Sequence, residues 1–286
     1  MNQEGPNIPA SVRRRLYNIA QKRGDTLDRV MIRFAMERLL FRLSQSPHSQ
    51  RFVLKGAMLF AVWSDVPHRP TRDLDLLGFG PSEAHEVKTV FETLIGMRIA
   101  QDDGLVFSSK GVSVENIIKE DAYSGLRVKM TATLEGAHIP IQIDIGYGQA
   151  VTPGPEKVSF PNLLPEFPAP QIRAYPIYTV LAEKIHAMVH LSLDNSRMKD
   201  FYDVWYLSHN FNVDVSRLRT AVQRTFKQRN TDIPLGVPVA LTPQFATAQQ
   251  ALWSRFLDRN RLPEPAGTFA ALLEKLQKFI MPVFGK

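Results

Sequence analysis

The chain has 286 residues, of which 44% are hydrophobic and 22% charged, a composition typical of an ordinary folded protein. It contains no cysteine and no apolar run long enough to span a bilayer. These absences exclude disulfides and thiolate metal sites, argue against a membrane function and favour a cytoplasmic protein. The formal net charge of +7 favours polyanionic partners such as RNA, DNA or nucleotides.

Apolar periodicity divides the first 150 residues into helices and strands. Helices are predicted at residues 12–22, 27–46, 58–63 and 82–97. Strands are predicted at residues 52–54, 71–77, 104–119, 124–134 and 139–146. This mixture predicts a lobe over residues 1–150 in which a helical lead-in precedes a substantial mixed sheet.

The following segment, residues 151–176, contains seven prolines and is predicted to be an extended connector, because proline at this density prevents a regular helix. Beyond it, helices are predicted at residues 177–190, 198–207, 216–229, 242–257 and 268–279. Residues 177–286 are therefore predicted to form a mainly helical lobe. The predicted fold class is α/β (α+β), with two lobes.

Basic residues are concentrated in two segments that are predicted to be helical. Residues 13–42 hold nine Arg or Lys and three acidic residues, and residues 217–230 hold five basic residues and no acidic one. These patterns fit the solvated faces of long helices and, equally well, a surface that binds nucleic acid.

Two aspartates, Asp73 and Asp75, alternate with leucines in the strand predicted at residues 71–77. Alternate side chains of a strand point to the same face, so the two carboxylates are expected to lie side by side. A hard cation such as Mg²⁺ or Mn²⁺ would relieve their repulsion and would also contact substrate phosphates. The neighbouring Arg69 and Arg72 provide a purely structural alternative, in which they neutralise the two carboxylates.

A third carboxylate, Asp144, lies in the apolar strand predicted at residues 139–146. If this strand neighbours that of the acid pair, the three carboxylates converge and can hold divalent ions, and Asp144 can accept a proton from an attacking hydroxyl. The alternative is that Asp144 caps the turn before Gly146. Gly56, at a predicted strand-to-helix turn, would let phosphate oxygens approach backbone N–H groups.

The predicted second lobe carries a lysine and two aspartates at helical spacing. Lys184 lies on one helix, and Asp200 and Asp203 lie about one turn apart on the next. Lys184 could neutralise phosphate charge, and Arg197 and Lys199 could add phosphate contacts. Spacing alone favours an ordinary network of salt bridges between residues three or four positions apart.

The combination of these motifs resembles the polymerase-β-like nucleotidyltransferases. It is most similar to the AbiEii/AbiGii-type nucleotidyltransferase toxins of bacterial toxin–antitoxin and phage-defence systems, their mycobacterial members in particular. The resemblance covers residues 33–207 and includes the segments Leu181–Ala187 (LAEKIHA) and Arg197–Leu207 (RMKDFYDVWYL). One departure is Ala57, which stands where the family usually has a second small residue, Gly or Ser, so a serine hydroxyl ligand is absent.

The resemblance implies the roles of the site residues. It implies that Asp73, Asp75 and Asp144 bind Mg²⁺ or Mn²⁺, that Lys184 binds the nucleotide, and that Asp200 or Asp203 is essential. The residues expected at the nucleoside triphosphate (NTP) are Gly56, Ala57, Arg69, Thr71, Lys184, Arg197 and Lys199.

The implied activity is transfer of a nucleoside monophosphate from an NTP to RNA, with the 3′ end of tRNA as the expected acceptor. This would block aminoacylation and translation, and a cognate antitoxin protein is the expected partner. Three alternatives remain open at this point. The acceptor could be a small molecule, as in antibiotic-modifying enzymes, or a protein side chain, or the chain could be a non-catalytic nucleic-acid-binding protein.

Overall fold

The structure is a computed structural model that describes residues 7–64, 69–108, 111–118 and 124–285. The described chain forms two compact units. The first unit comprises residues 7–64, 71–108, 111–118, 124–148 and 156–174, and the second comprises residues 69–70, 149–155 and 175–285.

The first unit contains eight described strands in one mixed sheet and four helices. The helices are α1 (Ile8–Arg23), α2 (Leu27–Gln45), α3 (Phe60–Trp63) and α4 (Ala84–Gly96). The strands are β1 (Phe52–Lys55), β2 (Asp73–Gly78), β3 (Val106–Phe107), β4 (Ser113–Ile118), β5 (Ser124–Leu134), β6 (Ala137–Tyr147), β7 (Glu156–Ser159) and β8 (Gln171–Ala174).

The sheet has the strand order β3-β5-β6-β2-β1-β8-β7, and β4 also pairs with β5. The pairs β2–β6 and β1–β8 are parallel and the other pairs are antiparallel. Two central neighbours, β2 and β6, therefore run in the same direction with their polar positions in register. The mixed α/β class predicted from the sequence is confirmed.

The proline-rich segment contributes more to the fold than a connector does, because it supplies β7 and β8. Its prolines flank these strands and do not interrupt them: Pro155 precedes β7, and Pro170 precedes β8. Proline is compatible with a strand at such positions because no ladder hydrogen bond is lost there. Two further differences are local: the predicted strand 104–119 is divided into β3 and β4, and the predicted helix 58–63 begins as a 3-10 turn, Gly56–Leu59.

The second unit is helical, as predicted, and its helices are α5 (Ile177–Leu191), α6 (Met198–Asn210), α7 (Val215–Gln228), α8 (Pro243–Asn260) and α9 (Phe269–Ile280). Side chains at the N-caps satisfy backbone N–H groups of three of them: Asp214 caps α7, Thr242 caps α8 and Thr268 caps α9. A buried aromatic cluster, in which Trp253 stacks on Phe269 at 4.7 Å between ring centroids, packs α8 against α9. Among the helices that the structure describes, none has the length and apolarity that crossing a membrane requires.

Candidate active site

The acidic pair lies on one face of the sheet, as the alternation in β2 predicts. Leu74 and Leu76 are each 1% exposed and form part of the core. Asp73 and Asp75 point to the opposite face, where Asp73 is exposed and Asp75 is half-buried. Because burial of the leucines fixes the orientation of the strand, the two carboxylates are held beside each other at an accessible surface.

Asp144 lies directly opposite Asp75 in the parallel ladder between β6 and β2. Residues paired in this way share a face of the sheet, so Asp144 joins the face that carries the acidic pair. It is more enclosed than the other two carboxylates, with 8% of its surface exposed. The sequence-based expectation that the strand of Asp144 neighbours that of Asp75 therefore agrees with the fold.

Two cations flank these carboxylates on the neighbouring strands β1 and β5. Lys55 of β1 is the ladder partner of Asp75, and Arg127 of β5 is the ladder partner of Asp144. Arg127 forms a two-pronged ion pair with Asp144, in which its Nε donates at 2.8 Å and a terminal nitrogen donates at 2.9 Å. Four charged side chains therefore form one row across the sheet, with two anions between two cations. We call this row the charged row; it consists of Lys55, Asp75, Asp144 and Arg127.

Gly56 follows β1 and has a φ of +71°. A Cβ atom at this position would lie 2.2 Å from Oδ2 of Asp75, so the carboxylate occupies the space that any other residue would fill. Glycine is required here for two reasons, the left-handed backbone and the close approach of Asp75. The residues after it form a 3-10 turn and the four-residue α3, so a long helix whose N-terminus faces a phosphate does not begin at Gly56.

Two other residues expected near the triphosphate have local environments that the sequence did not reveal. Ala57 is half-buried within the 3-10 turn. The hydroxyl of Thr71 donates to the backbone carbonyl of Asp73 at 3.3 Å, which orders the chain where β2 begins. Contacts of Gly56, Ala57 and Thr71 with a nucleotide remain predictions.

The acidic face fits a magnesium ion of the kind that binds together with a nucleotide. Mg²⁺ is usually held by one or two carboxylates and completes its shell with water and substrate phosphates. Asp73 and Asp75 offer this set. In the part of the chain that the structure describes, no group of three or more His, Cys, Asp or Glu side chains is arranged to hold a metal ion by itself.

The second unit contains a compact cluster of ions between α5 and α6. The Nζ atom of Lys184 lies 2.7 Å from Asp200 Oδ1 and 2.7 Å from Asp203 Oδ2. Two nitrogens of Arg69 donate to the carboxylate of Asp203 at 2.7 and 2.8 Å. The Nε atom of Arg197 lies 2.7 Å from Asp200 Oδ2. Both aspartates are fully buried, and their partners are Lys184 of α5, Arg197 at the start of α6 and the distant Arg69.

Electrostatics keep this cluster ionised. Burial acts to lower the pKa of Lys184, but the carboxylates of Asp200 and Asp203 outweigh burial and raise it above its usual value. Burial acts to raise the pKa of Asp200, but Lys184 and Arg197 outweigh it and lower that pKa. Desolvation of the ammonium group lowers the pKa of Lys199. Asp200 opposes this shift, and the nearby cations add to it. Four cations thus surround two carboxylates, and the excess positive charge suits a phosphate group.

Arg69 has a partner that the sequence did not reveal. Its position four residues before Asp73 suggested a counter-ion for the acidic pair, and the structure shows that its guanidinium binds Asp203. Asp203 is fully buried and requires a two-pronged partner, since an uncompensated carboxylate in that position is costly. Arg127 and Lys55 are the corresponding residues that sequence reasoning missed. The sequence signal that could have found Arg127 is its charge in the middle of a strand of alternating polar and apolar residues. In the sheet this position lies opposite Asp144.

Residues 38–275 match the model of a family described as nucleotidyl transferase AbiEii toxins of type IV toxin–antitoxin systems. The chain belongs to the AbiEii family. Membership makes it a nucleotidyltransferase, with an NTP as substrate and an antitoxin as partner.

Two solved structures are similar to this AbiEii-family chain. JHP933 from Helicobacter pylori is 14% identical with a TM-score of 0.40, and the match covers 79% of this chain and 92% of that one. A second H. pylori structure, described only provisionally as a nucleotidyltransferase, is 14% identical with a TM-score of 0.37, and the match covers 86% and 94% of the two chains. No curated protein sequence shows significant similarity to the chain.

Proposed function

We propose that this AbiEii-family enzyme is a toxin that transfers a nucleoside monophosphate from an NTP to the 3′ end of tRNA, with Mg²⁺ or Mn²⁺ as cofactor. The observation that carries the proposal is the acidic face of the sheet, where Asp73 and Asp75 lie side by side and Asp144 lies opposite Asp75. Carboxylates arranged in this way on adjacent strands are suited to nucleotidyl transfer, because they can hold divalent ions that stabilise the negative charge on the attacking and leaving oxygens.

In the proposed reaction, an oxygen of the terminal ribose attacks the α-phosphorus of the NTP. The bond from this phosphorus to the bridging oxygen of the β-phosphate breaks, and pyrophosphate leaves. Asp73 and Asp75 would hold the divalent ion, which supplies Lewis-acid stabilisation of the phosphate oxygens. Asp144 is the third carboxylate of this set and the candidate acceptor of the proton that the attacking hydroxyl loses.

The ion cluster of the second unit is proposed to bind the triphosphate. Lys184 is held between Asp200 and Asp203, so its ammonium group is fixed in place and remains charged. Arg69, Arg197 and Lys199 add positive charge around it. A phosphate that joins the cluster relieves the mutual repulsion of these cations, which is the physical reason for assigning the cluster to the NTP.

An RNA acceptor is favoured by the surface of α7. Arg217, Arg224 and Lys227 are exposed on one side of this helix and form what we call the α7 basic stripe. The opposite side carries the buried residues Leu218, Val222 and Phe226, and the helix contains no acidic residue. A stripe of cations on a helix without acidic residues attracts a phosphate backbone more strongly than it attracts a small neutral acceptor.

The biological consequence of the proposal follows from the chemistry of the acceptor. A tRNA whose 3′ end carries an extra nucleotide cannot be aminoacylated, so translation stops. Because tRNA and NTPs are cytoplasmic, we propose that the toxin acts in the cytoplasm. The antitoxin partner of the family would limit this activity in the producing cell.

The test is a labelling reaction with each of the four α-³²P-labelled NTPs, total tRNA and Mg²⁺. We expect label on tRNA and none on tRNA whose terminal ribose was first oxidised with periodate. Asp75→Asn should abolish labelling, whereas Glu156→Gln, which removes an exposed carboxylate of the same sheet, should leave it unchanged. Label that appears in a protein band or on a small molecule, and not on RNA, would overturn the choice of acceptor.

A further inference from the structure

The ion pair between Arg127 and Asp144 has a consequence for the order in which the metal and the nucleotide bind. Arg127 occupies both carboxylate oxygens of Asp144, at 2.8 and 2.9 Å. The two-pronged geometry uses the lone pairs that a metal ion would also prefer. Asp144 is mostly buried, whereas 31% of the Arg127 side chain is exposed, so the guanidinium is the partner with room to move.

The rest of the charged row acts in the same direction. Lys55 shares a face with Asp75, and it is 7% exposed. The two central carboxylates of the row therefore have a cation on each side before any metal ion arrives. Their repulsion is partly relieved, and a divalent ion gains less by binding there than it would gain at an uncompensated acidic pair.

We propose that Arg127 is a positioning residue that holds Asp144 away from the metal, so that the divalent cation binds together with the nucleotide and not before it. The phosphates supply the oxygen ligands that Asp144 withholds, and their negative charge attracts the guanidinium of Arg127. The inference rests on the proposed metal dependence. It assigns to Arg127 a role that neither the sequence motifs nor family membership provides.

The experiment is a titration of the nucleotide-free protein with Mn²⁺, followed by electron paramagnetic resonance of the unbound ion. Arg127→Met keeps the aliphatic stem and removes the guanidinium. We expect this variant to bind Mn²⁺ at least about tenfold more tightly than the wild type, the size of effect typical of changes around a metal ligand. Lys157→Met is the matched control, because it removes an exposed cation from another strand of the same sheet, and it should behave as the wild type does.

Two further arms separate this role from a general change in charge or stability. In an Asp144→Asn background, Arg127→Met should no longer increase Mn²⁺ affinity, because the released carboxylate is absent. With a non-hydrolysable NTP analogue present, the wild type should approach the affinity of Arg127→Met. Arg127→Lys keeps the positive charge but loses the two-pronged guanidinium geometry. Its Mn²⁺ affinity should therefore lie between those of the wild type and Arg127→Met, and it provides a second variant if Arg127→Met fails to fold.

The inference is overturned if Arg127→Met and wild type bind Mn²⁺ equally, if neither binds it, or if the gain persists with Asp144→Asn. These outcomes are distinct from failure of the proposed function. A wild type that labels no RNA contradicts the function, but it leaves the difference in Mn²⁺ affinity between wild type and Arg127→Met measurable. Unfolding temperatures recorded with and without Mn²⁺ provide an independent readout, since the ion should stabilise Arg127→Met more than the wild type.

Discussion

A substitution at Gly56 should affect both the backbone conformation and the rate of catalysis. Its φ is +71°, and a Cβ would lie 2.2 Å from Oδ2 of Asp75. Gly56→Ala must therefore displace the carboxylate as well as strain the backbone. We expect a stability loss of roughly 1–2 kcal/mol and a fall in the labelling rate of about 100-fold, because misplacing a group at the reacting centre by an ångström is that costly.

Gly136→Ala is the control for this substitution. Gly136 has a similar φ of +76°, but no atom lies within 4 Å of the position of its Cβ. This variant should lose about 1 kcal/mol through backbone strain alone and keep its activity. If both alanine variants retain the labelling rate of the wild type, contact between Gly56 and Asp75 is irrelevant to catalysis. Rates and chemical denaturation curves of the two proteins, measured side by side, decide the question.

The raised pKa of Glu37 should make the free energy of unfolding depend on pH. It is fully buried in α2, and burial raises its pKa from 4.5 to about 7, although the N–H of Leu163 donates to its Oε2 and opposes this shift. Because the folded pKa is raised, the folded state holds the proton more tightly than the unfolded state does. The contribution to stability is complete below pH 4.5 and is lost as pH rises through about 7.

Glu37→Gln, which resembles the protonated side chain, should remove this loss. Relative to the wild type, its free energy of unfolding should rise between pH 5 and pH 8 by roughly 2–3 kcal/mol, following the conversion of about 1.4 kcal/mol per pKa unit. Urea denaturation at both pH values measures the difference. Glu115→Gln, at an exposed carboxylate, should show no such change. An identical change in Glu37→Gln and Glu115→Gln would show that Glu37 does not titrate as its burial requires.

At the scale of elements, two arginines form ion pairs with the buried aspartates of α6, and the two arginines differ in how much of their side chain is exposed. Arg69 binds the fully buried Asp203 and is 10% exposed, whereas Arg197, at the start of α6, binds Asp200 and is 37% exposed. Arg69→Met should cost about 3 kcal/mol of stability, because it leaves a buried carboxylate with one cation fewer. Arg197→Met should cost less than about 1 kcal/mol, since exposed ion pairs contribute little.

Both substitutions remove a positive charge from the proposed triphosphate site, so both should raise the KM for NTP. Their shared effect on KM and unequal effect on stability distinguish nucleotide binding from folding. Equal stability losses in the two variants would contradict the difference in burial. Thermal unfolding and KM measurements on the same two proteins provide both quantities.

Local sequence was sufficient to predict the elements that carry the site, but it was not sufficient to predict the partners of the site residues. The alternation of Asp73 and Asp75 with buried leucines indicated β2 and the face of its carboxylates. The pairing of Arg127 with Asp144 depends on the register between β5 and β6, and the pairing of Arg69 with Asp203 joins residues 134 positions apart. Such contacts are decided by the packing of whole elements, which no local spacing encodes.

At the scale of the whole molecule, the net charge of +7 can bind an RNA backbone only where the cations are concentrated on one surface. In the α7 basic stripe, three exposed cations follow one side of a helix that carries no acidic residue. If it contacts the RNA backbone, replacing Arg217, Arg224 and Lys227 with glutamine should weaken tRNA binding. It should also reduce the slope of log K against log salt by up to about 3, close to one unit for each phosphate contact.

A matched variant separates this effect from the loss of net charge. Lys88, Lys157 and Lys275 are exposed and lie on three different elements, so replacing them with glutamine removes the same charge without touching α7. Because phosphate contacts release counterions locally, the scattered variant should keep the salt slope of the wild type. Filter binding over a range of salt concentrations measures both slopes. Equal slopes for the two triple variants would mean that the RNA responds to overall charge, and the acceptor would then have to be bound by another part of the protein.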